Sequence, residues 1–363
     1  MNQIYNFSAG PAMLPKEVML IAQKEFLNWK NLGVSILEMS HRSEEFFNMT
    51  KKSIKILRKI LNVPHSYEIL FCHGGARGQF SAIPLNLIDK VTKADYINTG
   101  FWSLAAAIES KKYCNPNIIN VKKIINNKVS ILPIKDWLLS NNTVSYIHYC
   151  PNETIEGIAI HEEPTFTNKI VVGDFSSTIL SRKINIENYS VIYAGAQKNI
   201  GPSGITLIII KKNLLKISNI IKPPSILDYN LLSKSNSMFN TPSTFSWYLS
   251  FLVFQWIQQN GGLSHIEQEN EKKSKLLYDT IDNTDFYINN ISYKNRSKMN
   301  VVFNIFNTSL HKIFLKESHK IGLHSLKGHN FIGGIRASIY NAMPLKGVKK
   351  LVNFMLKFEK KYG

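Results

Sequence analysis

Short apolar runs alternate with polar turns and amphipathic segments along most of the chain. In its middle part, Ile170–Gly173, Val191–Ala194 and Ile205–Ile210 are rich in β-branched residues and flanked by Gly, Pro or polar residues. Runs of this kind are typical of buried strands. Further strands are predicted at Tyr67–Cys72, Asp95–Asn98 and Val144–Cys150. Because helical segments separate the strands up to about residue 215, we expect an α/β fold with a mainly parallel sheet covered on both faces.

Start signals predict several helices in the same part of the chain. One is expected from about Pro15 to Trp29, with proline at its start. In another, Ser43 is the expected N-cap, and Glu44 and Glu45 lie in the first turn, where the helix dipole favours negative charge.

A second, smaller α+β domain is predicted at the C-terminal end. We expect a large domain over residues 1–260, with an N-terminal arm at 1–14, and a small domain over 261–363. The polar stretch 220–246 predicts a long functional or intersubunit loop, and the helix Trp247–Asn260 after it should end at Gly261 and Gly262. The small domain should hold a strand at Asn300–Ile305, a helix at Leu310–Ile321, a strand with Arg336, and a terminal helix with Val348, Leu351, Val352, Met355 and Phe358 on one face.

The composition is that of an ordinary globular protein. Hydrophobic residues make up 44% of the 363 positions and charged residues 19%. No apolar run approaches the roughly 20 residues that a membrane helix needs, and the N-terminus lacks the pattern of a secretory signal. Cys72, Cys114 and Cys150 have no metal or redox spacing, which fits a reducing cytosol. We therefore expect a cytoplasmic protein without a membrane segment.

The formal net charge is +19. Such a charge suggests either nucleic-acid binding or attraction of small anionic substrates. The lysines are scattered, however, and the chain is rich in Lys, Asn and Ile, a bias that AT-rich coding produces without selection for binding. We therefore expect no nucleic-acid partner.

Two charged residues suggest the chemistry. Asp174 follows the first of the three central strands, and Lys198 follows the second. Ligands of α/β sheets usually bind at such strand ends. A buried lysine can condense with an aldehyde cofactor, and a buried aspartate can keep the pyridine nitrogen of that cofactor protonated.

Other strand ends carry further candidates. The turn His73–Gly78 between a strand and a helix can cradle an anion with backbone N–H groups. Trp102 either contacts a ligand or belongs to the core. Thr154 either contacts a ligand or only forms the turn. Arg42 lies in a loop, as a solvated charge or as a clamp for a carboxylate or phosphate.

No metal site is expected. His41, His73 and His148 are the tempting ligands, but no pair of them has zinc spacing and no cysteine cluster supports them.

Nine blocks occur in order along the chain. They read NFSAGPAMLP, EMSHRS, FCHGGARGQF, HYCPNETIEGI, DFSSTILSR, YAGAQKNIGPSG, SMFNTPSTF, MNVVF and GIRASIYNAMP. From Tyr5 to the last helix, the chain thus closely resembles the phosphoserine aminotransferase family, a branch of the class V aminotransferases. The resemblance implies the aspartate aminotransferase-like fold of pyridoxal 5′-phosphate-dependent transferases.

The resemblance also implies an activity. L-glutamate and 3-phosphohydroxypyruvate would exchange an amino group to give 2-oxoglutarate and O-phospho-L-serine. A phosphorylated threonine analogue of pyridoxine biosynthesis would be a second product, made from 3-hydroxy-2-oxo-4-phosphonooxybutanoate. The family's active site, shared between two subunits, implies a homodimer.

Cofactor contacts are implied residue by residue. Lys198 would bind the cofactor covalently and move the proton at the substrate α carbon, while Asp174 would pair with the pyridine nitrogen. Trp102 would stack on the ring and Thr154 would contact it. The phosphate would be held by Ala76, Arg77 and Gln197, with Asn240 and Thr241 from the other subunit.

Substrate contacts follow in the same way. The resemblance implies Arg336 as the clamp of the α-carboxylate, and Arg42, Arg77 and His329 as the group that receives the phosphate or the distal carboxylate. His329 has the alternative of a loop packing residue. Ser8 and Ala9 would make minor contacts. The sequence departs from close relatives at Asn330, where they carry Arg, and at Ala9, where some carry Ser.

Two other classes of protein remain as alternatives. A cysteine desulfurase would need a histidine directly before the lysine and a nucleophilic cysteine on a mobile loop, whereas Gln197 precedes Lys198. A basic binding protein without catalysis would bind nucleic acid with a steep salt dependence. The intact set of Lys198, Asp174 and Arg336 favours the aminotransferase.

Overall fold

The computed structural model describes residues 3–140, 144–216 and 221–363. Its helices are α1 (Lys16–Glu25), α2 (Glu44–Leu61), α3 (Gly75–Leu87), α4 (Phe101–Ser110), α5 (Tyr229–Lys234), α6 (Thr244–Gln259), α7 (Gly262–Asp282), α8 (His311–Lys320) and α9 (Leu345–Tyr362). Its strands are β1 (Tyr5–Asn6), β2 (Tyr67–Cys72), β3 (Lys93–Asn98), β4 (Asn115–Asn120), β5 (Lys122–Ile125), β6 (Lys128–Ile131), β7 (Ile147–Tyr149), β8 (Asn152–Glu153), β9 (Ile158–Ala159), β10 (Val171–Asp174), β11 (Val191–Gly195), β12 (Thr206–Lys211), β13 (Tyr287–Ile288), β14 (Asn300–Ile305), β15 (Leu323–His324) and β16 (Ile335–Ser338).

A seven-stranded sheet in the order β2-β12-β11-β10-β7-β3-β4 forms the centre of the larger part. Only β12 runs antiparallel to its neighbours β2 and β11, and the other pairs in this sheet are parallel. The prediction of a mainly parallel sheet is therefore confirmed. In the register of β10 and β11, Asp174 lies opposite Tyr193. The predicted aspartate is thus the last residue of β10, the central strand of the sheet.

Both faces of this sheet are buried. Alternate residues of β12 enter opposite cores: Leu207 and Ile209 pack with α2 and α6, while Ile208 and Ile210 pack with α3, α4 and α5. A strand covered on both sides has no polar face, which explains its continuous apolar sequence. Ser43 caps α2 as predicted, because its side chain accepts a hydrogen bond from Phe46 N at 3.2 Å.

The C-terminal part has a core of its own. The antiparallel strands β13, β14 and β16 pack with α7, α8 and α9. The strand predicted at Asn300–Ile305 has those bounds, and the predicted apolar face of the terminal helix is buried. Tyr5 and Phe7 of the N-terminal arm pack in this second core, since β1 pairs in parallel with β15. The division at residues 260 and 261 stays a prediction.

Three predicted elements need correction. The first helix ends at Glu25 rather than near Trp29. The stretch predicted as one long loop holds α5 within its described residues 221–246, because the Asp228 side chain caps that helix by accepting from Asn230 N and Leu231 N; residue 220 lies outside the described residues. Gly261 ends α6 but, with φ at +80°, also begins the unpredicted α7.

In the described part of the chain, no helix combines the length and the apolar character needed to cross a bilayer.

Candidate active site

Asp174 is a buried carboxylate at the end of β10. Its side chain is 5% exposed, and Oδ1 accepts a hydrogen bond from Ser176 N at 3.0 Å. Burial raises the pKa of Asp174, because a charged group loses its hydration; the Ser176 hydrogen bonds and the charge of Lys198 act in the opposite direction. A further cation beside Asp174 would therefore stabilise the ionised form of this carboxylate.

Lys198 lies close enough to Asp174 for that charge effect. Lys198 lies three residues after Gly195, the last residue of β11. Its Nζ donates a hydrogen bond to Thr154 Oγ1 at 2.6 Å. The prediction of a buried lysine is corrected here, because Lys198 is only partly buried. The amine stands at the end of the sheet, where the strands give way to turns, and remains open to a ligand.

Aromatic hydroxyl groups and a neutral histidine lie beneath Asp174. Tyr193 OH is 2.8 Å from His148 Nε2, and the His148 ring stacks on Tyr96 at a centroid distance of 4.9 Å. Burial lowers the pKa of His148 to about 3, so this imidazole is neutral at neutral pH. From the sequence, His148 was considered only as a metal ligand, and that role was rejected.

The glycine-rich turn opens directly into α3. Gly74 has φ at +90°, and a Cβ there would lie 3.2 Å from Gly78 Cα, so this position favours glycine. The helix begins at Gly75, earlier than the sequence predicted, and no side chain caps it. Ala76 and Arg77 thus present first-turn N–H groups, which are suited to an anion such as a phosphate.

Trp102 lies in the first turn of α4, just after β3. The guanidinium carbon of Arg77 is 5.3 Å from the centroid of the Trp102 ring. Trp102 Nε1 is buried and has no hydrogen-bond partner among the described residues. Helix α4 therefore brings an aromatic ring to the α3 N-terminus, where it meets the Arg77 cation of α3.

The N-terminal arm crosses the Lys198 loop. Ala12 N donates to Gln197 O at 2.9 Å, and a Cβ on Gly10 would lie 3.9 Å from Lys198 Cγ. The Tyr340 hydroxyl donates to Ala9 O at 3.1 Å. Ser8 and Ala9 are thereby placed between the lysine and the strand that carries Arg336.

Arg336 is a cation without a counterion in the described structure. Its Nε is buried without a hydrogen-bond partner, and none of the salt bridges of the described residues includes it. Burial lowers the pKa of Arg336, since the charged form loses hydration. Such a group gains most from a bidentate carboxylate ligand.

His329 lies beside Arg336 in a loop of the C-terminal part. Burial, and then the charge of Arg336, lower the pKa of His329. Its ring is 5.2 Å from Phe331 and 5.8 Å from Phe101. His329 thus packs against aromatic rings and also faces the arginine, so both roles considered for it stay open.

Three further predicted residues lie at the surface, and of these Asn240 reaches the α3 turn. Arg42 is exposed and forms no side-chain hydrogen bond with another described residue. Asn240 and Thr241 are exposed as well, and Asn240 Nδ2 lies 3.1 Å from His73 Nε2, next to the α3 turn. Their assignment to the other subunit's site stays a prediction.

Several residues that shape the site were not predicted from the sequence. Glu153 and Glu156 contact the first turn of α4, and Ser176 holds Asp174. A serine two residues after an aspartate is a usual turn signal. The apolar residues around the two glutamates of the NETIEGIAI segment were the only local sign that Glu153 is buried and Glu156 partly buried. Asn152 is structural, since its amide donates to Ser177 and Asn300.

Neither a metal centre nor a reactive cysteine is evident among the described residues. No group of three or more His, Cys, Asp or Glu side chains there could hold a metal ion. The three cysteines are buried, and burial raises the pKa of the Cys72 thiol to about 12. A buried thiol with a raised pKa is a poor nucleophile, which disfavours the cysteine desulfurase alternative.

The residues present fit pyridoxal 5′-phosphate. An accessible amine and a buried carboxylate lie within electrostatic reach of each other, and an uncapped helix N-terminus is available for the phosphate. The orphaned donor of Arg336 fits an anionic substrate beside that cofactor.

Comparisons with known proteins agree with this fit. A model of the family "Aminotransferase class-V" matches residues 4–351. A phosphoserine aminotransferase of Buchnera aphidicola subsp. Schizaphis graminum is 61% identical over 363 residues, which cover 100% of both chains.

Solved structures of the same kind superpose closely. A phosphoserine aminotransferase from Bacillus circulans subsp. alkalophilus is 38% identical, with a TM-score of 0.96 over 99% of each chain. A phosphoserine aminotransferase from Trichomonas vaginalis, described as PLP bound, is 37% identical, with a TM-score of 0.92 over 98% of this chain and 100% of that one. The chain therefore belongs to the class V aminotransferases, which are pyridoxal phosphate-dependent enzymes, and within them to the phosphoserine aminotransferase family.

Proposed function

We propose that the chain transfers the amino group of L-glutamate to 3-phosphohydroxypyruvate, reversibly, to form 2-oxoglutarate and O-phospho-L-serine. The observation that carries this proposal is the grouping of an accessible lysine, a buried aspartate and an unpaired arginine. Their chemistry suits an amino acid whose α carbon must lose a proton while its carboxylate is held. The same pocket would accept the related ketone 3-hydroxy-2-oxo-4-phosphonooxybutanoate, giving 4-phosphohydroxy-L-threonine.

Pyridoxal 5′-phosphate is the proposed cofactor. When bound, it supplies an aldehyde carbon that condenses with amines and a ring that accepts electrons. Trp102 and Thr154 would contact the ring. The N–H groups of Ala76 and Arg77 would hold the phosphate, with help from Gln197 and from Asn240 and Thr241 of a second subunit.

Lys198 would be the base at the substrate α carbon. Its amine would take the proton from that carbon and would return a proton on the cofactor side. Thr154 supports this role, because its hydroxyl holds Nζ at 2.6 Å and so limits where the amine can point. The α-carboxylate would lie on Arg336, leaving the α-proton directed towards the lysine.

Asp174 would hold the pyridine nitrogen in its protonated form. The burial that raises the pKa of Asp174 also strengthens its attraction for a cation, since few waters compete there. A positive charge on that nitrogen would in turn favour the ionised carboxylate. Asp174 and the ring nitrogen thus stabilise each other's charged forms.

One pocket must receive two kinds of distal anion, the carboxylate of glutamate and the phosphate of phosphoserine. Arg77 and His329 would line it, with Arg42 as a further candidate, since flexible cationic donors suit both geometries. The overall charge of +19 would assist by attracting anionic substrates.

A homodimer is part of the proposal. Large apolar side chains are exposed along α1 and the segment that follows it, and Leu27 is 80% exposed. The set is Met19, Leu20, Ile21, Phe26, Leu27, Leu32, Val34 and Leu37. Such a concentration of apolar surface is typical of an interface. We expect the chain to be cytoplasmic.

The dimer is tested by light scattering on Leu27→Glu. This variant should shift towards monomer and lose activity, because the proposed site is shared. Leu138→Glu, which alters a residue that is 85% exposed elsewhere, is the control and should stay dimeric. A monomeric wild-type protein would contradict this part of the proposal.

The activity is tested in a coupled assay with glutamate and 3-phosphohydroxypyruvate, run beside the pyridoxine-pathway ketone. The purified protein should be yellow, and Lys198→Ala should lose both turnover and the visible absorption of the bound cofactor. Absence of turnover in a cofactor-loaded wild-type protein would refute the proposed reaction.

A further inference from the structure

The N-cap residue of helix α4 offers no side chain to the N–H groups of the first turn. Gly100 occupies the N-cap and has no side chain to offer. Instead, Phe101 N donates to Glu156 Oε1 at 2.8 Å, Trp102 N donates to Glu153 Oε2 at 2.9 Å, and Ser103 N donates to Glu153 Oε1 at 2.9 Å. Both carboxylates are distant in sequence: Glu153 is the last residue of β8, and Glu156 lies in the turn between β8 and β9. They satisfy the free N–H groups and place negative charge at the positive end of the helix.

The two glutamates approach Gly100 very closely. A Cβ on this residue would lie 2.7 Å from Glu153 Cδ and 2.9 Å from Glu156 Cδ. The backbone at Gly100 has φ of 173°, which any residue adopts. Glycine is therefore required by the space that the carboxylates occupy and not by backbone strain, so Gly100→Ala is a way to displace them.

Glu153 is buried and Glu156 is partly buried. Burial raises the pKa of both groups, and the charge of Glu153 helps to raise that of Glu156 to about 7. The hydrogen bonds from Ser103 and Trp102 stabilise the ionised form of Glu153. Glu156 Oε2 is buried without a hydrogen-bond partner among the described residues. Glu153 therefore has more hydrogen-bond donors for its ionised form than Glu156 has.

Glu153 connects two parts of the cofactor site. Through the N–H of Trp102 it fixes the backbone that carries the ring-stacking indole. The next residue in the chain is Thr154, whose hydroxyl accepts from Lys198 Nζ. Glu156 holds Phe101, whose ring lies 5.8 Å from that of His329.

We propose that Glu153 is a positioning residue for the cofactor: by capping α4 from outside, it sets the orientation of Trp102 on the ring. Glu156 supports the same turn at Phe101. This inference rests on the proposed function, because the stacking role of Trp102 is part of it.

The test is an equilibrium titration of the cofactor-free protein with pyridoxal 5′-phosphate, followed by quenching of tryptophan fluorescence. Glu153→Gln keeps the size of the side chain but turns an amide group towards N–H donors. We expect its dissociation constant to rise tenfold or more. The matched control is Glu162→Gln, which alters a carboxylate that accepts from Ile134 N at 2.9 Å outside the site. The control should stay within twofold of the wild type.

A double-mutant cycle separates positioning from general weakening of the fold. If Glu153 acts through Trp102, then Glu153→Gln should weaken cofactor binding less than threefold when added to Trp102→Ala. An equal tenfold effect in both backgrounds would overturn the proposal. Should Glu153→Gln fail to fold, Gly100→Ala replaces it in the cycle, with the same expectations.

The outcomes also distinguish this inference from the proposed function. A wild-type protein that does not bind the cofactor would refute the function itself. A wild type that binds it, together with a Glu153→Gln variant indistinguishable from Glu162→Gln, would overturn the positioning role alone.

Discussion

Replacement of Arg336 should weaken the binding of the substrate's α-carboxylate and leave the other proposed contacts of the substrate in place. The guanidinium is half-buried and has no counterion among the described residues. A substrate carboxylate at about 4 Å would be attracted by about 4 kcal/mol at an effective dielectric constant of about 20. Each 1.36 kcal/mol corresponds to about a tenfold change in rate. After the cost of desolvating the substrate anion, we expect Arg336→Gln to lower kcat/KM by about 100- to 1,000-fold.

The assay compares glutamate and phosphoserine as amino donors. Both carry an α-carboxylate, so the two values of kcat/KM should fall by similar factors. Arg336→Lys keeps the charge but loses the two parallel hydrogen bonds, and a loss of about tenfold is expected. The control is Arg182→Gln, which removes an arginine paired with Glu163 at 2.8 Å outside the site.

Stability gives an independent check on the same variant. In the free protein, Arg336 lacks a counterion, and burial disfavours its charge. Its replacement by glutamine should therefore leave the Tm of the substrate-free protein unchanged or raise it. If kcat/KM fell by less than about fivefold, or fell for only one of the two donors, the assignment of Arg336 would be refuted. A large loss of Tm would contradict the absence of an internal partner.

Three further predictions concern single residues. Asp174→Ala should retain its circular dichroism spectrum yet lose most turnover, because the ring nitrogen loses its partner; near-wild-type rates would disprove that role. Asn330→Arg adds a cation next to His329, where the distal anion is proposed to bind, and should lower the KM for phosphorylated substrate more than that for glutamate; equal effects would remove this explanation. Burial lowers the pKa of Lys273 from 10.5 to about 7, so the unfolded chain binds more protons between those pH values, and the wild type should gain a few kcal/mol of unfolding free energy over Lys273→Met as the pH rises from 7 to 10. Urea titrations that differ by the same amount at each pH would contradict the last prediction.

The parts of the fold that the sequence predicted are those set by local pattern. The apolar runs at β2, β11 and β12, and the Ser43 cap of α2, each lie within a few neighbouring residues. Helix α7 was missed for a physical reason. Its inward face includes Asn270 and Lys273, both buried, which interrupt the apolar periodicity between Ile266 and Leu277. Asn270 Nδ2 and Lys273 Nζ donate to distant parts of the chain, and no local rule indicates these partners.

The site, like the fold, has features that local sequence predicts and features that it does not. Asp174 and Lys198 were predictable because they follow strands that are neighbours in the sheet. The degree of burial was not, since Lys198 lies at the open end of the sheet and Asp174 within it. The contacts of Glu153 with α4 were also beyond prediction, because they join two turns that meet only after the sheet has formed.

The position of Arg336 depends on polar contacts at the end of its strand. Lys273 Nζ donates to the carbonyl groups of Ile339 and Tyr340, just beyond β16. The Tyr340 hydroxyl accepts from Asn300 Nδ2 and donates to Ala9 O. These bonds connect the strand that carries the arginine with α7, β14 and the N-terminal arm. Because unpaired polar groups in this buried setting would be costly, the network favours one arrangement over slippage of the strand. The cation is therefore held by directional bonds rather than by apolar packing alone, as the fixed geometry of a carboxylate clamp requires.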